Sequence, residues 1–363
     1  MRGSDVMQEA LFTTVHLERY VPLDHPLRAM RRLFDEALHK LNGLFESIYA
    51  DIGRESIAPE KLLRAQLLQV LYSIRSERQL VEQLNYNLLF RWFVGLAIDD
   101  VVWNHSTFSK NRDRLLEHEV IPQLFAEVVK LAGKRDLLST DHFSVDGTLI
   151  QAWASQKSFV RKDGSDDEPR GGGGRNAERD FHGQKRSNET HESRTDPDCR
   201  NAKKSGGSEA KLAYLGHSVM ENRHGFIVRA EASHAHGTAE RDTALELLAH
   251  LPGRRRKSVG ADKLYDTEDF VRECRALNIT PHVACNDKRA GGSRLDDRTT
   301  RHEGYGVSQR IRKRIEETFG WGKSIGLIRQ VKVRGLDKVN LIYQFTCMSW
   351  NLVRMRNLLG ANI

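Results

Sequence analysis

The spacing of apolar residues changes once along the chain, near Arg135, and that change limits the fold more than any total does. Before it the pattern is helical. Residues 26–50 place Leu27, Met30, Leu33, Phe34, Leu38, Leu41, Phe45 and Ile48 at intervals of three or four, the repeat of one helix face. Pro26 stands at the start, where a missing N–H is harmless. A further helix is expected from Pro59 through KLLRAQLLQVLYSI, apolar nearly all round and therefore central. SERQLVEQLN, NLLFRWFVGL and HSTFSKNRDRLL predict three shorter helices, with Ser76 and either Ser106 or Thr107 as N-caps.

After Arg135 the repeat becomes two. HFSVDGTLIQAW alternates, with Phe143 and Val145 on one side and Ser144 and Asp146 on the other, which predicts a strand kinked at Gly147. AYLGHSVME and GFIVRAEAS read as a hairpin. TAERDTALELLAHL (helix), KSVGAD (strand), TEDFVRECRALN (helix) and ITPHVAC (strand) follow, and 308–359 is helical again with a break at 334–336. The expectation is an all-helical domain over 1–135 and an α/β domain with a mixed sheet over 136–359, ending in helices. Residues 155–211, with four glycines at 171–174 and almost no large apolar side chains, are expected to be a long polar loop or a disordered insertion.

Charge narrows the function. The formal net charge of +8 is clustered: from Arg298 to Arg334 there are ten Lys or Arg and only Glu303, Glu316 and Glu317 as acids. Such clustering favours a nucleic-acid partner. Lys313, Arg314, Lys323, Arg329, Lys332 and Arg334 are read as phosphate contacts rather than a merely solvated face. Lys110, Arg112 and Arg114 lie on the last short helix of the N-terminal part. That arrangement is compatible with a helix-turn-helix and equally with an ordinary helical domain bearing a basic face. The four cysteines show no zinc-site spacing, which predicts a reduced, cytoplasmic chain, and no apolar run is long enough to span a membrane.

Acids within a basic stretch need a separate explanation. On a helix, Ile311, Ile315 and Phe319 form the packing stripe. Glu316 then borders it, in line with Arg312 and Lys323, while Glu317 faces solvent. Asp146 lies mid-strand on a polar side, and Asp262 follows the strand SVGAD, at the carboxyl end where ligands gather in α/β sheets. Three converging carboxylates would repel by roughly 4 kcal/mol per pair at an effective dielectric of about 20, so such a set calls for a cation. All-oxygen ligands favour Mg²⁺ or Mn²⁺, and a pair of such ions can activate a water or a 3′-hydroxyl against a phosphodiester. GKS at 322–324 lacks the upstream glycine of a phosphate loop, and the pair His234 and His236 lacks a third ligand at metal spacing.

The ordered set SVDGTLIQAW, VGADKLYD and RIRKRIEETFGWGK resembles the DDE transposases of bacterial insertion sequences, specifically the IS-five group. LLRAQLLQVLYSIRSERQLVEQLNYNLLFRWFVGL followed by VWNHSTFSKNRDRLL resembles that group's helical N-terminal domain. The likeness runs over nearly the whole chain. It implies a ribonuclease-H-like catalytic domain with Asp146, Asp262 and Glu316 as catalytic and metal-binding triad, two divalent ions, and Arg312 and Lys323 as the basic residues flanking the glutamate. The family's usual tyrosine three residues before that arginine is Gln309 here, and Tyr305 is out of register. Trp321, beside the glutamate, is expected either in the core or against a base at the DNA end.

The activity implied is cleavage at the ends of a mobile element in double-stranded DNA, then joining of the 3′-hydroxyls to target DNA. The protein would act as a homodimer or larger assembly in the bacterial cytoplasm. Two other readings are a DNA-binding protein of transposase origin without catalysis and a metal-dependent nuclease of the same fold.

Overall fold

β1 (His142–Gln151) is the middle of the sheet and has a different kind of neighbour on each edge. The computed structural model describes residues 16–49, 56–163, 186–204 and 207–360. Before β1 these form α1 (Leu17–Tyr20), α2 (Pro26–His39), α3 (Asn42–Ile48), α4 (Pro59–Leu71), α5 (Glu77–Tyr86), α6 (Leu88–Val94), α7 (Ser106–Glu117) and α8 (Val120–Lys134). After it come β2 (Phe159–Arg161), β3 (His191–Ser193), β4 (Arg200–Ala202), β5 (Lys211–Glu221), β6 (Ile227–His234), α9 (Ala239–Ala249), β7 (Lys257–Ala261), α10 (Glu268–Ala276) and β8 (Ile279–Val283). The chain ends in α11 (Asp297–Thr300), α12 (Glu303–Ile311), α13 (Ile315–Ser324) and α14 (Leu336–Leu359).

Local chemistry sets most of these boundaries. Pro26 opens α2, and the His25 ring accepts the Leu27 N–H at 3.2 Å. The helix expected over 26–50 breaks before Asn42 and Gly43, two poor helix formers. Ser76 caps α5 as expected. At α7 the capping group is neither Ser106 nor Thr107: Asn104 Oδ1 accepts the Ser106 N–H at 2.9 Å. The C-terminal break spans 325–335 rather than 334–336, because part of this stretch is held at the end of β1, where Gln330 bridges to Gln151 and the Val331 N–H donates to the Gln151 carbonyl at 3.0 Å.

The main sheet is mixed, in the order β4-β5-β1-β7-β8, with β6 also paired to β5. β1 is antiparallel to β5 and parallel to β7, and β7 is parallel to β8. Both faces are covered. Phe143 and Val145 point into a core shared with Leu247 of α9 and Phe270 of α10. Ile150, of opposite parity, belongs to a larger core that runs without interruption from Val21 to Met355 and joins the N-terminal helices to the sheet through α14.

α14 also closes the edge of the sheet. Asn351 accepts the Ile227 N–H and donates to the Ile227 carbonyl, at 2.9 and 2.7 Å. Asn340 accepts the Ala232 N–H at 2.9 Å, and Gln344 donates to the Ala230 carbonyl at 3.0 Å. The outer backbone groups of β6 are therefore satisfied by a helix, which removes a template for strand addition.

The expectation for 155–211 is corrected where the segment is described; residues 164–185 and 205–206, including the glycine run, lie outside the described residues. β2 pairs with β3, and β4 joins the main sheet. Asp196 accepts from the Tyr214 hydroxyl at 2.7 Å and the Gly335 N–H at 3.0 Å, and Asp198 accepts from Leu336 N–H at 3.0 Å. Carboxylates at the start of α14 satisfy its free N–H groups and its dipole. Low hydrophobicity misleads here because the ordering comes from acids that serve a helix about 140 residues away, the Gly335 bond to Asp196 spanning 139 positions.

Candidate active site

The parallel pairing of β1 with β7 ends at Ser144↔Gly260. Two residues further along each chain stand Asp146 and Asp262. Gly260 lets the next layer approach: a Cβ there would meet Ser308 Oγ at 3.0 Å and Arg312 Cβ at 3.1 Å. The chain at the end of α12 thus sits directly on β7, and the 3₁₀ turn Arg312–Arg314 leads into α13, which carries Glu316.

Asp146 is the electrostatic centre. Its carboxyl is pushed up to about 7, first by burial, against the pull of the Gly147 N–H, and then by the charges of Asp262, Glu240 and Glu316. Asp262 accepts the Leu264 N–H at 2.7 Å, which fixes its place after β7. Glu316 and Glu317 are both exposed, but it is Glu316 whose charge acts on Asp146. The buried members of the α13 packing face are Ile315, Thr318, Phe319 and Gly322.

Glu240, in the first turn of α9, was not anticipated. Its carboxyl is also raised, by burial first and then by Asp262. A Cβ on Gly147 would lie 2.6 Å from Glu240 Oε1. Gly147 is consequently not a kink: it stays paired within β1, opposite His217, and its missing side chain admits the fourth carboxylate. The signal in the sequence was the Asp-Gly pair, whose glycine has no turn to serve. Beneath the acids, Tyr265 is buried and its hydroxyl is held far above its usual range by that burial and by the charges of Glu240, Asp146 and Asp262.

The basic residues divide by what they touch. Lys323 is half-buried; burial and the charge of Lys204 lower its ammonium, while Asp146 opposes that shift. Arg312 donates through Nε to Gln309 Oε1 at 3.1 Å, and Gln309 Nε2 donates to the His282 carbonyl. The glutamine thereby ties the arginine to the end of β8. Tyr305 bonds elsewhere, to the Val283 carbonyl at 2.9 Å. Lys313 and Arg314 are exposed. Trp321 packs edge-on against Trp350, ring centroids 5.8 Å apart, beside the main core.

α7 is more structural than its charges foretold. Arg112 pairs with Glu77, and its side chain is only 12% exposed. The Arg114 guanidinium lies 4.5 Å from the Tyr49 ring centroid. Lys110 is exposed. A cleft of about 840 Å³ runs beside this helix, lined by Arg75, Arg112 and Trp153 on one part and by Lys323, Arg329 and Lys332 on another. The acids around Asp146 do not line it, and Lys323, whose ammonium feels the charge of Asp146, is what it shares with their site.

Every acid facing this point offers carboxylate oxygens, the donors of Mg²⁺ and Mn²⁺, and their mutual repulsion is of the kind a divalent cation relieves. Donor chemistry and charge therefore fit. Among the described residues no group of three or more His, Cys, Asp or Glu is gathered tightly enough to hold an ion. No helix among them is long and apolar enough to cross a membrane.

A mixed sheet with β1 at its middle, antiparallel on one side and parallel on the other, helices on both faces, one acid within β1 and another just past the end of β7 define a ribonuclease-H-like fold. The chain belongs to the transposase DDE domain family, whose model matches residues 138–352; a second model, a transposase domain (DUF772), matches 15–114. Among solved structures it is similar to a piggyBac transposase synaptic complex with hairpin DNA, at 8% identity and TM-score 0.43, over 93% of this chain and 76% of that one. It is also similar to a Mos1 transposase paired-end complex with left transposon end, at 11% identity and TM-score 0.20, over 84% and 99%. No curated protein matches the chain.

Proposed function

We propose that this protein is a DNA transposase of the IS-five group that cleaves the ends of an insertion sequence and joins them to target DNA. The observation that supports this most is the convergence of charge on Asp146, a carboxyl raised by its burial and then by Asp262, Glu240 and Glu316, with Lys323 of a basic cleft acting on it from the other side.

In this reading Asp146, Asp262 and Glu316 hold the metal. Two Mg²⁺ or Mn²⁺ ions bound there would supply activation of the attacking oxygen and stabilisation of the leaving one. The protein's own part is orientation. β1 and β7 present the two aspartates side by side, Arg312 is steered by Gln309, and Lys323 offers a cation to a backbone phosphate next to Asp146. Lys313, Arg314 and, on α7, Lys110 extend the phosphate contacts; Arg112 and Arg114 hold that helix in place. Residues 1–135 would serve in DNA recognition and 136–359 in catalysis. Pairing two element ends requires two copies, so a homodimer or larger assembly on DNA is expected, in the bacterial cytoplasm.

The test is an assay on labelled double-stranded DNA bearing the element's ends, with wild type and Glu316→Gln, with and without Mg²⁺. Metal-dependent nicking and joined products from the wild type alone support the proposal. Hydrolysis without joining would make it a nuclease, and binding without cleavage would leave a DNA-binding protein.

A further inference from the structure

Five tryptophans occur in the chain, and four are occupied by packing. Trp92 and Trp103 are buried, and Trp321 and Trp350 cover each other. Trp153 is 44% exposed and lines the basic cleft. An indole left facing water forfeits the burial that makes tryptophan favourable in a fold, so its position calls for a ligand.

The surroundings state what kind. Trp153 follows β1, seven residues after Asp146. At about 3.3 Å per extended residue those seven steps span at most about 23 Å. The stretch beside it is held rigidly: Gln330 bridges to Gln151 and donates to the Ala152 carbonyl at 3.2 Å. Ile328, Val331 and Val333 turn inward, leaving Arg329 and Lys332 outside. Lys332 Nζ lies 5.8 Å from the Trp153 ring centroid. The one acid of the lining, Glu77, is already paired with Arg112. Among the described residues Arg75, Lys323, Arg329 and Lys332 have no ion-pair partner. A groove of unpaired cations with one open aromatic ring fits a polyanion that has exposed π-faces, a single nucleic-acid strand rather than a closed duplex, whose bases are stacked on each other.

We propose that Trp153 is a stacking platform for an unpaired base of the DNA strand leaving the active site, with Arg329 and Lys332 on its phosphates. This rests on the transposase reading and adds to it that one DNA strand is unpaired where it passes Trp153.

The test needs no metal and no particular sequence, because stacking tolerates every base. Full-length protein in EDTA is titrated with a blunt duplex and with the same duplex carrying an eight-nucleotide 3′ tail labelled with 2-aminopurine. Trp153→Ala is expected to weaken binding of the tailed DNA about 5- to 100-fold, the cost of one lost stack, to leave the blunt duplex within about twofold, and to abolish the 2-aminopurine quenching. Trp153→Phe should keep most of the affinity, and Arg329→Ala with Lys332→Ala should lower the salt dependence on the tailed DNA and leave that on the blunt duplex nearly unchanged. Unchanged tailed-DNA binding by Trp153→Ala, or equal loss on both DNAs, overturns the inference alone. Failure of the wild type to bind either DNA overturns the transposase reading and this inference with it.

Discussion

Asp146 within β1 and Asp262 just past the end of the parallel strand β7 each stand two residues beyond the Ser144↔Gly260 pair. Their closeness is a property of the sheet and survives changes in side-chain conformation. Conservative replacement therefore removes charge without moving the backbone. Asp146→Asn, Asp262→Asn and Glu316→Gln should each lower cleavage by about 10²-fold or more, the scale of several kcal/mol of lost charge stabilisation, with binding affinity within a fewfold of wild type in a gel-shift titration. Glu317→Gln should cleave like the wild type. Equal losses in the two glutamate variants would reject the assignment of Glu316.

The raised Asp146 carboxyl predicts how metal-free stability varies with pH. Its folded value of about 7 exceeds the ordinary 3.8, so the folded state binds the extra proton between these limits. Stability contributed by the neutral form is present at low pH and is lost as pH rises toward 7. Asp146→Asn, which never ionises, should match the wild type in Tm near pH 4 and exceed it increasingly up to pH 7, levelling above. Thermal scans in EDTA across this range check it; a constant difference would mean that Asp146 is not desolvated. Adding Mg²⁺ at pH 8 should stabilise the wild type more than the variant.

Glu240 shows where the sequence was legible and where it was not. Strand parity put Asp146 on a polar side and helix phase set Glu316 apart from Glu317, because both fix a side chain's direction over a few residues; Asp262 was marked only by following a strand, and it was the family resemblance that joined the three. Glu240 carried no such mark: an acid in a helix's first turn already has a reason to be there, and its proximity to Gly147 is set by how α9 packs across β1. The closing of β6 by Asn340, Gln344 and Asn351 was hidden for the same reason, since polar residues on a helix give no hint that their partner is a strand edge over 100 positions away.

The Gly147–Glu240 contact gives a double-mutant test. Gly147→Ala would bring Cβ within 2.6 Å of Glu240 Oε1, displacing a flexible carboxylate more readily than a strand. Activity should fall by about the same factor in Gly147→Ala, Glu240→Ala and the double variant, because all three remove the same group from the site. Multiplicative losses would show that the two residues act separately.

On α14, Asn351 serves both the N–H and the carbonyl of Ile227. Asn351→Leu would leave two buried backbone groups without partners, at about 1–3 kcal/mol each. A loss of unfolding free energy of that size, read as a lower urea midpoint at unchanged m-value, is expected; a loss of less than about 0.5 kcal/mol would mean that water replaces the amide.

The two charged residues of α7 should separate binding from stability. Lys110 is exposed, so Lys110→Ala should weaken DNA binding on every sequence alike and reduce the slope of log K against log salt by about one, without a change in Tm. Arg112 is held by Glu77 with little solvent contact, and its loss leaves that glutamate unpaired beside the cleft. Arg112→Ala should lower Tm, and Glu77→Gln in the same chain should restore part of it, because the double variant no longer carries the orphaned charge. If Arg112→Ala instead changes the salt slope at constant Tm, the arginine contacts phosphate and its pairing with Glu77 yields to DNA.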